Sequence, residues 1–193
     1  MNDFKLQGVL VGNNVVLDCG ANIGLFSNYA AAKGCRVYAF EPAKPTAGLF
    51  KLNQNIYPDQ ITLINTALHS QKGTKQFYTY EDDLGSYSTE LKLGGSKGHT
   101  EYTQTISIDE FIKTNGLSRV DFIKADIEGA ERYMLKGAQG VLKCFAPSLA
   151  LCAYHMPDDK EILAELIIKA NPNYHINHQW GKIYATPAEG NEK

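Results

Sequence analysis

Val15-Val16-Leu17-Asp18-Cys19-Gly20-Ala21-Asn22-Ile23-Gly24 decides the fold of this 193-residue chain. A short apolar run rich in valine ends in an acid, and two glycines four apart follow at once. Behind them Leu25, Phe26, Tyr29, Ala30 and Ala31 recur at helical spacing up to Gly34. The pattern is that of a buried strand, a tight turn and a helix. Glycine takes positive φ without strain and lets a ligand approach bare backbone. The helix N-terminus leaves unpaired N–H groups beside that ligand.

The motif is acid-x-Gly-x-x-x-Gly. In the dinucleotide fingerprint G-x-G-x-x-G the middle glycine makes room for a pyrophosphate. Ala21 and Asn22 leave less room. A nucleoside without phosphate fits better, and S-adenosylmethionine (SAM) is the natural candidate. The second strand, Arg36 to Pro42, carries Glu41 at its tip, 21 residues after Gly20. An acid there can accept hydrogen bonds from both ribose hydroxyls, in NAD and SAM sites alike. A helix from Pro42 and Pro45 to about Asn55 follows. A third strand then runs from Ile61 to Leu68, with Thr66 and Ala67 at its end beside the expected adenine.

Lys75 to Tyr80 reads as a further strand, and Thr103 to Ile106 as a short one. Between them, residues 81–101 are polar and rich in Gly and Ser, and read as a long loop placed where a substrate lid could sit. Ser107 is an N-cap for a short helix. Val120 to Ala125 is the fourth main strand and runs into Asp126-Ile127-Glu128-Gly129-Ala130-Glu131. Acids in a first helical turn are favoured by the helix dipole. Asp126 differs from them because it ends a buried strand at the carboxyl edge of the sheet, where open α/β sheets bind ligands. One helix is expected next, with Ala130, Met134, Leu135, Ala138, Val141 and Leu142 on its apolar face. Ser148 to Ala153 is the fifth strand and delivers Tyr154 and His155 to the same edge. A helix beyond Pro157 and a hairpin, Tyr174 to His178 with Lys182 to Thr186, close the chain. The expected architecture is α/β: one domain over residues 1–193, with a doubly wound, mostly parallel sheet.

Composition narrows the function classes. Lys plus Arg is 19 against 21 Asp plus Glu, a net charge of −2, so nothing marks a nucleic acid or anionic membrane as partner. Cys19, Cys35, Cys144 and Cys152 form no C-x-x-C pair and read as small buried hydrophobes in a reducing compartment. The first residues, MNDFKLQGVLVG, do not read as a signal peptide, and no stretch reaches transmembrane length. A cytoplasmic location is the expectation. Residues 1–14 carry no readable chemistry.

With these residues laid out, the chain resembles the FkbM family of SAM-dependent methyltransferases. The segments LDCGANIGLFS, FEP, INTAL, SIDEF, DFIKADIEGAE, LKGA and PSLAL follow in order between residues 15 and 155. The resemblance implies the class I methyltransferase fold, a seven-stranded sheet with its last strand antiparallel. It also implies SAM as cofactor and methyl transfer to a hydroxyl oxygen, often on a sugar or secondary metabolite. Asp18, Gly20, Asn22 and Gly24 fall on its SAM motif, Glu41 on its ribose acid, and Asp126 on the acid ending strand four. Family members usually carry extra structure before the first strand. Here 14 residues precede it, so the acceptor pocket is expected to be open, or closed by another segment or subunit.

An alcohol oxygen is a poor nucleophile while it keeps its proton. His155, with an ordinary pKa of about 6.5, is the expected general base, beside Asp126 and Glu128 as further catalytic candidates. His178 is a weaker candidate from the terminal hairpin. Asp126, Glu128, His155 and His178 are acceptable ligands for a cation that would acidify a coordinated hydroxyl. Their spacing matches no metal signature, so no metal is expected. Two other readings stay open: a SAM-binding module without catalysis, and an NAD-dependent oxidoreductase, against which the glycine spacing and the lack of a Tyr-x-x-x-Lys pair speak.

Overall fold

The computed structural model describes residues 10–54, 56–80, 83–90 and 98–188. Strand β1 (Val15–Cys19) lies inside a seven-stranded sheet, in parallel register with β2 (Arg36–Phe40) and β8 (Phe122–Ala125). Beyond β2 lies β3 (Ile61–Ile64), and beyond β8 lies β9 (Ser148–Cys152), both parallel. The hairpin of β10 (Tyr174–Gln179) and β11 (Lys182–Pro187) completes the order β10-β11-β9-β8-β1-β2-β3, and β11 is antiparallel to both of its neighbours.

The period of two along the strands splits the core into two layers. Val16, Val37 and Ala39 face α1 (Leu25–Ala32) and α2 (Lys44–Gln54), where they meet Ala30, Ala31 and Phe50. Leu17, Cys19, Tyr38, Phe40 and Ile123 lie in the other layer. There they pack with α3 (Ile108–Thr114), α4 (Glu131–Lys136), α5 (Gln139–Cys144) and α6 (Asp159–Ala170). Helices thus cover both faces, as expected. Ser107 caps α3, its hydroxyl accepting from the Glu110 N–H at 3.1 Å. Among the described residues no helix is long and apolar enough to cross a membrane.

Three expectations are corrected. Residues 61–68 are not one strand: β3 stops at Ile64, and Ala67–Leu68 form β4 in a different sheet. Asn65 makes the break by donating to the Glu41 and Pro42 carbonyls at 2.8 and 3.1 Å. Nor are residues 81–101 simply a loop. β6 (Asp83–Ser88) pairs with β5 (Gly73–Tyr80), and β7 (Gly98–Ile106) extends five residues further back than expected. With β4 they build a second sheet in the order β4-β7-β5-β6. Positions 81, 82 and 91–97 of the expected loop lie outside the described residues, as do the first nine positions of the 1–14 segment.

The third correction is the helix expected after Asp126, which is two helices, α4 and α5, broken at Gly137. A Cβ at Gly137 would stand 2.4 Å from the His69 carbonyl oxygen and 2.8 Å from Ser107 Cβ. Only glycine admits that approach, and the chain bends to make it.

Candidate active site

The turn after β1 is held from below by charge. Asp18 is fully buried, accepts the Ser27 hydroxyl at 2.6 Å and pairs with Lys124 Nζ at 3.1 Å. Lys124 also donates to the Gly20 carbonyl at 2.6 Å. Burial opposes its charge, but Asp18 and Asp126 overcome that and hold its pKa above the ordinary lysine value. Asp18 therefore fixes the turn from behind and does not line the cleft in front of it.

The glycines also have a packing role, beside the expected ligand approach. Gly20, at φ 76°, makes room for the other strand end: a Cβ there would sit 2.0 Å from the Asp126 carbonyl oxygen. Gly24, at φ 88°, starts α1, and its Cβ would meet the Phe50 ring at 2.9 Å. Both let elements close up. Asn22 adopts φ 51° between them, and its side chain accepts the Ile23 N–H at 2.7 Å.

In front of the turn lies a cleft of ≈ 540 Å³, counting its open mouth. Its lining joins residues from four strand ends: Gly20 and Asn22, Glu41, Ala67 with Thr66, and Asp126 with Glu128. Glu41 is 5 % exposed and accepts N–H groups from Asn22 and Ala43, each at 2.9 Å. Burial pushes its carboxyl up to about 7 despite those two donors. Phe77 of β5 and Thr89, just after β6, complete the lining. The Thr89 hydroxyl and Asp126 Oδ1 are buried without a hydrogen-bond partner among the described residues. An acid beside two unsatisfied polar atoms suits a ligand rich in hydroxyl and amino groups.

At the end of β8 the backbone turns sharply, with Glu128 at φ 54° and Gly129 at φ 91°. Glu131 is fully buried and closes the turn by accepting the Ile127 and Gly129 N–H groups at 2.8 and 2.9 Å. The Ser88 hydroxyl donates to the Glu128 carbonyl at 2.6 Å and ties the second sheet to the turn. His155 comes down behind it from the loop after β9. Its Nε2 lies 3.6 Å from Asp126 Oδ1 and 3.3 Å from Glu128 Oε2, and its Nδ1 lies 3.4 Å from Glu131 Oε1. Arg132 secures that loop by bridging Asp158 and Asp159, each at 2.7 Å.

This surrounding corrects the reading of His155 as a free base. Burial alone would lower its pKa, but Glu128 and Glu131 prevail and push it up to about 10. Near neutral pH the ring already holds its proton, and it does not line the cleft. His178 is exposed on the edge strand β10, with β11 and β9 between it and β8. Asp126 and Glu128 do reach the cleft.

Lys124, Thr89 and the part of Glu131 in orienting His155 escaped the sequence. Lys124 left a trace, since a lysine in a buried strand demands a partner. Thr89 left none, because its place beside the cleft is set by the pairing of β6, which ends just before it. Cys19, Cys35 and Cys152 are buried and free as expected, whereas Cys144 is exposed at the end of α5.

Residues 18–182 match the methyltransferase FkbM domain family. A hexuronic acid methyltransferase of Haloferax volcanii, AglP, is 25% identical over 162 residues, which cover 82% of this chain and 63% of that protein. The 31-O-demethyl-FK506 methyltransferase FkbM of Streptomyces tacrolimicus is 24% identical over 155 residues, 65% of this chain and 60% of that protein. The crystal structure of a methyltransferase FkbM from Methylobacillus flagellatus superposes with a TM-score of 0.66 at 25% identity, over 90% of this chain and 43% of that one. The chain thus spans about three fifths of the length of the two curated relatives.

Proposed function

We propose that this chain, which belongs to the FkbM methyltransferase family, methylates a hydroxyl oxygen of a sugar or secondary-metabolite acceptor with SAM. The observation that carries the reading is the cleft bounded by Gly20, Asn22, Glu41 and Asp126, three strand ends at one sheet edge. When bound, SAM supplies a sulfonium methyl group that is electrophilic toward oxygen. Glu41 accepts the ribose hydroxyls, and Thr66, Ala67 and Phe77 border the base. Asp126 and the Asn22 turn hold the amino acid end. Catalysis then rests on holding the acceptor oxygen in line with the methyl group. As the acceptor oxygen takes the methyl carbon, the carbon–sulfur bond would break to leave S-adenosylhomocysteine, and the acceptor proton would pass to a carboxylate at the cleft, Asp126 or Glu128.

Two relatives support the acceptor class, one named for a hexuronic acid and the other for a hydroxyl of a secondary metabolite. The net charge of −2 supports a small acceptor over a nucleic acid. Calorimetric titration with SAM, S-adenosylhomocysteine and NAD tests the cofactor. Micromolar binding of the first two and none of NAD is expected; NAD binding alone overturns the reading. Turnover against a panel of hydroxylated sugars tests the acceptor, and SAM binding without turnover would favour a non-catalytic module.

A further inference from the structure

The imidazole of His155 sits among more negative charge than it can neutralise. Asp126, Glu128 and Glu131 converge on it, so one imidazolium faces three carboxylates. Of the cations on the flanking elements, Arg132 is committed to Asp158 and Asp159, and Lys124 pairs with Asp18 while its charge also reaches Asp126.

The spacing is also long for charge-assisted hydrogen bonds. Charge-assisted N–H···O bonds run at about 2.7–2.9 Å. The contacts here are longer: 3.6 and 3.3 Å from Nε2 to Asp126 and Glu128, and 3.4 Å from the other ring nitrogen, Nδ1, to Glu131; a cation would take only one of the two nitrogens. Ligand atoms bound to one cation at about 2.0–2.2 Å stand roughly 3–3.6 Å apart when adjacent. One nitrogen of His155 and one oxygen each of Asp126 and Glu131 lie within 4.8 Å of one another.

A second observation is independent of the charge count. The His155 side chain is only 6% exposed, and its Nδ1 has no hydrogen-bond partner among the described residues. Asp126 Oδ1, on the other side of the ring, is buried and unsatisfied as well. Buried polar atoms left unmatched on both sides of one cluster call for a ligand.

We infer that Asp126, Glu131 and His155, with Glu128 alongside, form a site for a divalent transition-metal cation at the inner end of the cleft. Mixed carboxylate and imidazole donors suit Mn²⁺ or Zn²⁺ better than an all-oxygen site suited to Ca²⁺. Binding exchanges the imidazole proton, released to solvent, for the cation. The backbone N–H bonds of Glu131 to Ile127 and Gly129 hold that ligand in place beforehand. At the cleft, the cation would add a Lewis acid for an acceptor hydroxyl, a role that rests on the methyl-transfer reading; the site itself does not.

Mn²⁺ titration of chelator-stripped protein, followed by loss of the free-ion electron spin resonance signal, tests it without cofactor or acceptor. One saturable site is expected, with nitrogen coupling in the spin-echo spectrum. His155→Ala and Asp126→Asn should each weaken it at least tenfold while circular dichroism stays native, and His178→Ala should leave it unchanged. No saturable binding to the wild type overturns the site, as does binding that survives both His155→Ala and Asp126→Asn. SAM titration of the same stripped protein reads the cofactor separately, so failure of either reading shows by itself.

Discussion

Glu41 and His155 are both buried ionisable residues, yet their surroundings drive them to opposite states. Glu41 meets two backbone N–H groups and no ion-pair partner among the described residues, and desolvation lifts its pKa to about 7 despite the charge of Lys124. Ribose hydroxyls need it ionised to accept from both oxygens. SAM affinity is therefore expected to fall as pH drops through about 7. Glu41→Ala should lose that dependence and bind roughly tenfold or more weakly, since hydrogen bonds to charged groups contribute about 1.5–3 kcal/mol. Calorimetry between pH 6 and 8.5 reads both effects, and unchanged affinity in Glu41→Ala removes the ribose role. His155 is raised as well, from 6.5 to about 10, but there the shift favours the charged form, because neighbouring carboxylates outweigh its burial. A raised histidine pKa stabilises the fold fully below the unfolded value and progressively less as pH rises to the folded one. In chelator, the melting temperature should fall between pH 6.5 and about 10. The same melts on His155→Ala should show a flatter profile; a parallel decline would place the titration elsewhere.

Elements bend here where backbones touch. Helices α4 and α5 separate at Gly137 because the His69 carbonyl and Ser107 pack against its bare Cα. Gly137→Ala should cost about 1–3 kcal/mol, as overpacking against backbone does. Equilibrium urea unfolding measures it, and a neutral result would mean that α4 and α5 can part without loss. The apolar face through Ala130, Met134, Leu135, Ala138, Val141 and Leu142 was legible as helix because all six are buried in the core on the expected side. The break was not legible, because its cause lies in β4 and α3, far off in sequence. Strand β6 shows the same limit. Its pairing to β5 is made by backbone groups, which polar and glycine-rich residues supply as well as apolar ones.

Across the whole molecule, the large sheet presents its strand ends to one edge, and Phe77 of the small sheet lines the cleft there with Thr89, just after β6. Parallel strands buried on both faces write themselves as apolar runs, so β1, β2, β8 and β9 were readable one by one. The glycine turn, the acid ending β2 and the acid ending β8 were readable with them, since each follows its strand directly in the chain. That much the amino-acid order determined: an α/β fold of the FkbM methyltransferase family, with a glycine turn and two acids at one sheet edge. Only the tertiary structure decided what those residues do to one another. It placed Asp18 behind the turn with Lys124, showed Gly20 making room for the Asp126 carbonyl, and brought His155 against three acids. The reason is physical. Periodicity records which face a residue buries, whereas a charge state depends on neighbours that only folding brings within a few ångströms.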